Sequence, residues 1–303
     1  MKYIMTARGK IKDSELGFTY EHEHLYTYLP QKDGSMDYEV TQIDNMEKDL
    51  NEIKELGCRS IVDASAIGMG RNAEFLKALS IRTGMNVICT TGFYRDEYVP
   101  DVIKDMSDSK VFDLIMNEIN NGIGYTGIRP GMIKIGISKN VITDEEYRLG
   151  KIMCAVQRET DLPFYVHFTD GTCAIETAEY LIDSGAVKEK LILGHVDVPE
   201  DKIYLEKLLS LGVNVSMDKF GRDHSNHDEN KVDIVKYLLG KGYLNQILIG
   251  GDMGNTKYLH SYSGEPGLSY IIKELIPYMH DIGINKEDTD KIFIDNPSRI
   301  FSV

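Results

Sequence analysis

The chain has 303 residues, 42% of them hydrophobic and 27% charged, and a formal net charge of −14. That is the balance of a globular protein long enough for one large α/β barrel or two ordinary domains, and its acidity argues against nucleic acid or an anionic membrane as partner. No apolar run approaches the length of a membrane span, Met1–Lys12 is too charged for a signal peptide, and the four cysteines (Cys58, Cys89, Cys154, Cys173) form no Cys-x-x-Cys pair, as expected of buried, reduced thiols in a cytoplasmic protein.

Short β-rich runs alternate with amphipathic helical patterns along the chain. Phe18–His24 reads as the first strand, with a helix over Asp44–Leu56 after it. Ser60–Ala64 precedes a helix at Asn72–Thr83, Asn86–Thr90 one at Lys110–Asn121, and Met132–Ile137 one at Asp144–Thr160. Phe164–Phe168 pairs with Thr172–Ser184, and Leu191–His195 with Pro199–Leu211. Val213–Met217 precedes Glu229–Lys241, and Gln246–Gly250 precedes Leu268–Asp281. Gly57, Gly84, Gly185 and Gly212 each stand just past a helix as a natural stop.

Eight such units predict a closed (β/α)8 TIM barrel with a parallel sheet. A doubly wound open sheet is the alternative, with less support because no Gly-x-Gly-x-x-Gly follows the first strand. No low-complexity linker divides the chain. Lys286–Val303 reads as an extra C-terminal helix packing on the barrel, with Pro297 at a turn or first helical position. The long segments after the seventh and eighth strands, Asp218–His227 and Asp252–Gly267, are the expected walls of a substrate pocket, because barrel active sites lie at the C-terminal strand ends.

Those strand ends carry ligand-type residues. His22 and His24 are two apart on the first strand and so point to the same side, where they can hold one metal ion. Lys134 sits inside the apolar strand Met-Ile-Lys-Ile-Gly-Ile. Either it leaves the barrel mouth with its stem buried, or burial lowers its pKa and the neutral amine takes up carbon dioxide as a carbamate able to bridge two metals. His167 and His195 end consecutive strands, and Asp252 follows a buried one. A carboxylate placed there must be paired, protonated or metal-bound. Two divalent ions, of zinc or manganese type, suit this imidazole and carboxylate set, and hydrolysis by metal-activated water follows from it. No Gly-x-Ser-x-Gly elbow competes.

The same residues, with others spread over nearly the whole chain, resemble the phosphotriesterase-like branch of the amidohydrolase superfamily. The resemblance runs from Thr6-Ala7-Arg8-Gly9 and Glu15-Leu16-Gly17 through Glu21-His22-Glu23-His24-Leu25, Met69-Gly70-Arg71-Asn72 and Thr91-Gly92-Phe93-Tyr94. It continues through Ile133-Lys134-Ile135-Gly136, Gly194-His195 and Gly251-Asp252 to Asp295-Asn296-Pro297. It implies a single hydrolase barrel domain over residues 1–303. It implies one metal on His22, His24 and Asp252, a more exposed one on His167 and His195, and carboxylated Lys134 with a hydroxide between them. Zinc is the expected metal, with manganese or cobalt as substitutes, and Asp252 would also take the hydroxide's proton. One related subgroup has glutamate in place of Lys134, and Glu21 departs from the small or hydroxylic residue common before His-x-His.

Hydrolases of organophosphates, acyl-homoserine lactones and sugar lactones, some phosphorylated, share this pattern. Tyr94 matches a tyrosine that the lactonases place over the exposed metal, while Trp is absent. Lys219, Arg222 and Lys257 lie on the last two loops and suggest an anionic small-molecule substrate. The expectation is therefore a lactonase of sugar lactones, with a homodimer allowed. A phosphotriesterase, an acyl-homoserine lactonase, or a non-catalytic binder on the same barrel is the alternative. His224, His227 and His260 are expected to be loop residues, outside the metal set.

Overall fold

A computed structural model of the chain describes residues 2–29, 34–222 and 227–303. Among them eight strands run parallel around a barrel: β1 Thr19–Glu23, β2 Ser60–Asp63, β3 in two pieces, Asn86–Ile88 and Thr90–Gly92, and β4 Met132–Ile137. β5 is Phe164–Phe168, β6 Leu191–Gly194, β7 Asn214–Met217 and β8 Ile247–Ile249. Neighbours pair in chain order, as Thr19↔Ser60, Ser60↔Asn86, Thr90↔Met132, Ile133↔Phe164, Phe164↔Leu191, Ile192↔Asn214 and Val215↔Ile247 show. Cys89 interrupts the third strand, so its first half pairs with β2 and its second with β4. β8 meets β1 through the hydrogen bond from Asp252 N to the His22 carbonyl, 3.0 Å.

The barrel interior follows from period-two alternation. Val62, Ile88, Met132, Tyr165, Ile192 and Leu248 point inward and pack together, while Ile61, Ile133, Val166, Leu193, Val215 and Ile249 belong to the outer core shared with the helices. Ile4, Leu16, Ile300 and Phe301 join the inner cluster. An N-terminal hairpin, Tyr3–Thr6 with Gly9–Lys12, and the C-terminal helix therefore plug the end of the barrel opposite the site. The sequence reading contains no such hairpin, because each strand has only four residues around the turn Ala7-Arg8.

The longer helices are α1 Ile43–Glu55, α2 Ala73–Thr83, α3 Asp108–Asn121, α4 Asp144–Thr160, α5 Ala174–Asp183, α6 Lys202–Ser210 and α7 His227–Gly240. α4 matches its predicted span because both ends are chemically marked. Thr143 and Glu146 form a capping box, and Asp161 closes the helix in the left-handed region. α6 begins at Lys202, later than Pro199, because Asp201 caps it by accepting from Ile203 N and Tyr204 N. The four predicted glycine stops all have positive φ.

α8 opens with a π turn, Ile271–Leu275, and continues as Ile276–Asp281; the terminal helix runs Lys286–Asp290, a second π turn Lys291–Asp295, then Asn296–Phe301. Each π turn directly precedes the short helical piece that contains Pro277 or Pro297. Proline lacks the N–H an α-turn needs and crowds the preceding carbonyl, and the wider turn relieves both. The tail thus packs on the barrel as expected, with Pro297 near the start of its last segment. No helix among the described residues is long and apolar enough to cross a membrane.

Candidate metal centre at the barrel mouth

His22 near the end of β1 and His24 just past it are buried, and their Nε2 atoms lie 3.6 and 3.3 Å from Asp252 Oδ1. His22 Nε2 is buried without a hydrogen-bond partner. One ligand atom from each of His22, His24 and Asp252 lies within 4.8 Å of the others, a donor set that fits one divalent cation. The opposite ring nitrogens are fixed from behind. His24 Nδ1 meets Ser65 Oγ at 2.8 Å, and His22 Nδ1 is hydrogen-bonded to the Tyr165 hydroxyl. Gly194 makes room for that tyrosine, since a Cβ there would lie 1.7 Å from its hydroxyl oxygen.

His195 leaves β6 with φ +63 and faces His167, the ring centroids 4.3 Å apart. Its Nδ1 is 2.6 Å from Asp218 Oδ1, and its backbone N–H donates to Asp218 Oδ2 at 3.2 Å. Asp218 also accepts from the Tyr165 hydroxyl at 3.2 Å and is fully buried. His22, His195 and Asp218 form a second cluster close enough for a metal. The Asp218 oxygens are already occupied by these donors, so the aspartate is better read as the group that orients both rings and leaves each Nε2 available. The rule that singles out Asp252, an acid just past a buried strand, applies equally to Asp218 after Met217. Tyr165, by contrast, carries no such sequence signal.

Lys134 points into the barrel, fully buried, and its Nζ donates to the Ala64 carbonyl at 2.8 Å. The lysine therefore does not leave through the barrel mouth. Desolvation lowers its pKa to about 8, against the pull of Asp252, Asp63 and Asp218. Burial likewise lowers His22 to about 4 and depresses His24, His167 and His195, keeping these imidazoles neutral and able to ligate at neutral pH. Burial alone would raise Asp252, but the Arg222 guanidinium holds it well below the usual carboxylate range.

A cavity of about 180 Å³ opens over this centre, lined by His24, Tyr94, Arg95, His167, Asp170, Lys219, Arg222 and Asp252 among others. The Tyr94 hydroxyl is 3.4 Å from His167 Nε2. Arg222 donates to the Asp252 carbonyl at 3.0 Å and to its carboxylate, and it lies over the Tyr258 ring. Lys257 does not line the cavity: it is exposed, with its ammonium 4.7 Å over the Tyr258 ring. The lysine is carried away because Thr256–Tyr258 forms a 3₁₀ turn capped by Asn255. Arg95, which the sequence reading leaves out, does line the cavity, and its Nε is buried without a partner. His260 sits apart, bonded to Glu52 and Glu265. His224 and the side chain of His227 lie outside the described residues.

A model of the phosphotriesterase family matches residues 2–301. The chain is 27% identical to the phosphotriesterase homology protein of Escherichia coli (strain K12), over 94% of this chain and 98% of that one. It is 27% identical to the phospho-furanose lactonase of Mycoplasmopsis synoviae (strain 53), over 99% of this chain and 92% of that one. The crystal structure of a lactonase from Listeria monocytogenes superposes with a TM-score of 0.93 at 28% identity, over 99% and 98% of the two chains.

Proposed function

The chain belongs to the phosphotriesterase family of metal-dependent hydrolases, and on that premise we propose that it is a lactonase that opens a furanose-type sugar lactone bearing a phosphate. The observation that carries this reading is the charge of the cavity. Arg95, Lys219 and Arg222 converge on it in a protein of net charge −14, which suits a small anionic substrate. The lactonases among its relatives support the same reaction class.

His22, His24 and Asp252 would hold one divalent metal, His167 and His195 a second, with Lys134 between them as its carbamate. Zinc fits these nitrogen and oxygen donors, and manganese or cobalt could replace it. When bound, the metals lower the pKa of water and polarise the carbonyl under attack. Asp252 accepts the attacking water's proton on its carboxylate and passes it to the alkoxide as the ring opens. Tyr94, whose phenol burial keeps protonated, directs its hydroxyl at the lactone carbonyl oxygen. Lys219 supplies the charge for the phosphate and Arg95 a second donor. Arg222 is already engaged with Asp252 and serves mainly to keep that carboxylate ionised.

A lactone library read with a pH indicator tests the reaction, and Lys219→Ala tests the substrate. The variant should raise KM for the phosphorylated lactone far more than for its dephosphorylated analogue. Equal losses on both would remove the phosphate reading, and a preference for long acyl-homoserine lactones would overturn the sugar reading.

A further inference from the structure

Three consecutive backbone N–H groups at the end of β8 are captured by β1. Gly251 N donates to Glu23 Oε1 at 2.8 Å, Asp252 N to the His22 carbonyl at 3.0 Å, and Met253 N to Glu23 Oε2 at 2.9 Å. Glu23 is fully buried, and its two carboxylate oxygens accept the backbone N–H groups of Gly251 and Met253, the residues on either side of Asp252. Asp252 itself has φ +52, a conformation that costs a residue with a side chain free energy and persists only where its surroundings hold it. The fit around the glutamate is close: a Cβ on Gly251 would lie 2.6 Å from Glu23 Oε1, so only glycine leaves this grip undisturbed.

We infer that Glu23, the residue between the two histidines of His22-Glu23-His24, is the positioning residue for Asp252. It holds the backbone N–H of the residue on each side of the aspartate and so aims the carboxylate between His22 Nε2 and His24 Nε2. One strand therefore supplies two nitrogen donors from its outer positions and, from the intervening one, the grip that brings in the third ligand from the far edge of the barrel. This rests on the role proposed above for Asp252, as ligand and proton acceptor. Glu23 touches neither substrate nor reacting atoms, and its effect has to pass through Asp252.

The test uses the metal-loaded enzyme, with kcat and KM measured beside a chelator competition for the bound metal. Glu23→Gln keeps the shape but turns an amide N–H towards one of the two backbone donors. It should lower kcat and metal affinity by about 10–100-fold, the usual size for groups that orient a ligand, while KM stays within about two-fold. In an Asp252→Asn background the same substitution should add less than about two-fold to either loss, as expected when one residue acts only through the other. Gly251→Ala presses on the grip from the opposite side and should reproduce the pattern, which keeps the inference testable if Glu23→Gln does not fold. Unchanged kcat and metal affinity in both variants would overturn it. So would an undiminished loss in the Asp252→Asn background, which would make the contact a seam of the barrel and nothing more. Wild-type turnover in Asp252→Asn alone would remove the proton-acceptor reading, and the chelator competition, compared with and without Asp252, would then decide the positioning role by itself.

Discussion

Asp218→Asn separates an orienting carboxylate from a ligand. Asp218 Oδ1 lies 2.6 Å from His195 Nδ1, and Oδ2 accepts from His195 N and the Tyr165 hydroxyl, each at 3.2 Å, with nothing exposed to water. An asparagine that keeps its oxygen on the Nδ1 side must turn its amide N–H₂ towards the His195 backbone N–H, donor against donor. A buried donor left without an acceptor costs about 1–3 kcal/mol. At ~1.4 kcal/mol per decade this is roughly 5–150-fold in an equilibrium constant. The fold can absorb part of it, because Lys231 Nζ independently holds the Asp218 carbonyl at 2.8 Å. The remainder should appear where His195 presents Nε2. We expect metal affinity, by chelator competition, to fall about 10–100-fold and kcat with it, while circular dichroism stays that of the native barrel. Wild-type metal affinity in a well-folded Asp218→Asn would refute the orienting role. Loss of one full metal equivalent at saturating metal would instead make Asp218 a ligand.

Three further outcomes are expected. Lys134→Ala should abolish activity and metal bridging, with partial rescue by short carboxylic acids; full activity in the unrescued variant would end the carbamate assignment. Asp252→Asn should lower kcat by orders of magnitude with the fold intact, and wild-type turnover would remove its role as proton acceptor. The His260 contact should depend on pH: burial alone would lower its pKa, but Glu52 at 2.9 Å and Glu265 at 3.2 Å raise it above the usual value. The charged imidazole therefore adds stability that is complete below its unfolded pKa and lost as pH rises through the raised folded value. His260→Gln should cost more thermal stability near pH 6 than near pH 9, and an equal loss at both would remove the ion-pair account.

Much of the barrel was legible because its strands obey a local rule. Met132–Ile137 and Phe164–Phe168 are apolar on both faces and bounded by turn residues, so pattern alone delimits them. The ligand-type residues stood out for the same reason, as ionisable groups inside or just past buried strands. What stayed hidden depends on which strands come together. Asp218 acts on a residue 23 positions away, Tyr165 on one 143 away, and Glu23 on peptides 228 and 230 away. No periodicity carries those separations. The Asp218 contact forms when the seventh strand pairs with the sixth, and the Tyr165 and Glu23 contacts only when the later strands curl round to the first. The destination of Lys257 was hidden for another reason: a single 3₁₀ turn decides whether a loop cation faces the cavity, and its Asn255 cap was not among the signals weighed.

His195, Lys219 and Asp252 all have positive φ, and each stands within three residues of the end of β6, β7 or β8. The chain therefore turns away from the barrel at Lys219 and Asp252, which line the cavity, and at the buried His195. Apart from Arg222 and Lys231, which hold Asp252 and Asp218, and Met253, whose N–H Glu23 accepts, positions beyond Lys219 and Asp252 can exchange sequence without moving the side chains that stand on the rim. Selectivity and the donor set can thus change on separate schedules. A library of residues 220–227 and 255–267 that keeps Arg222 and Tyr258 should yield variants that differ in what they accept while still loading the same metals, whereas lengthening the chain by one residue between Ile249 and Asp252 should empty the centre.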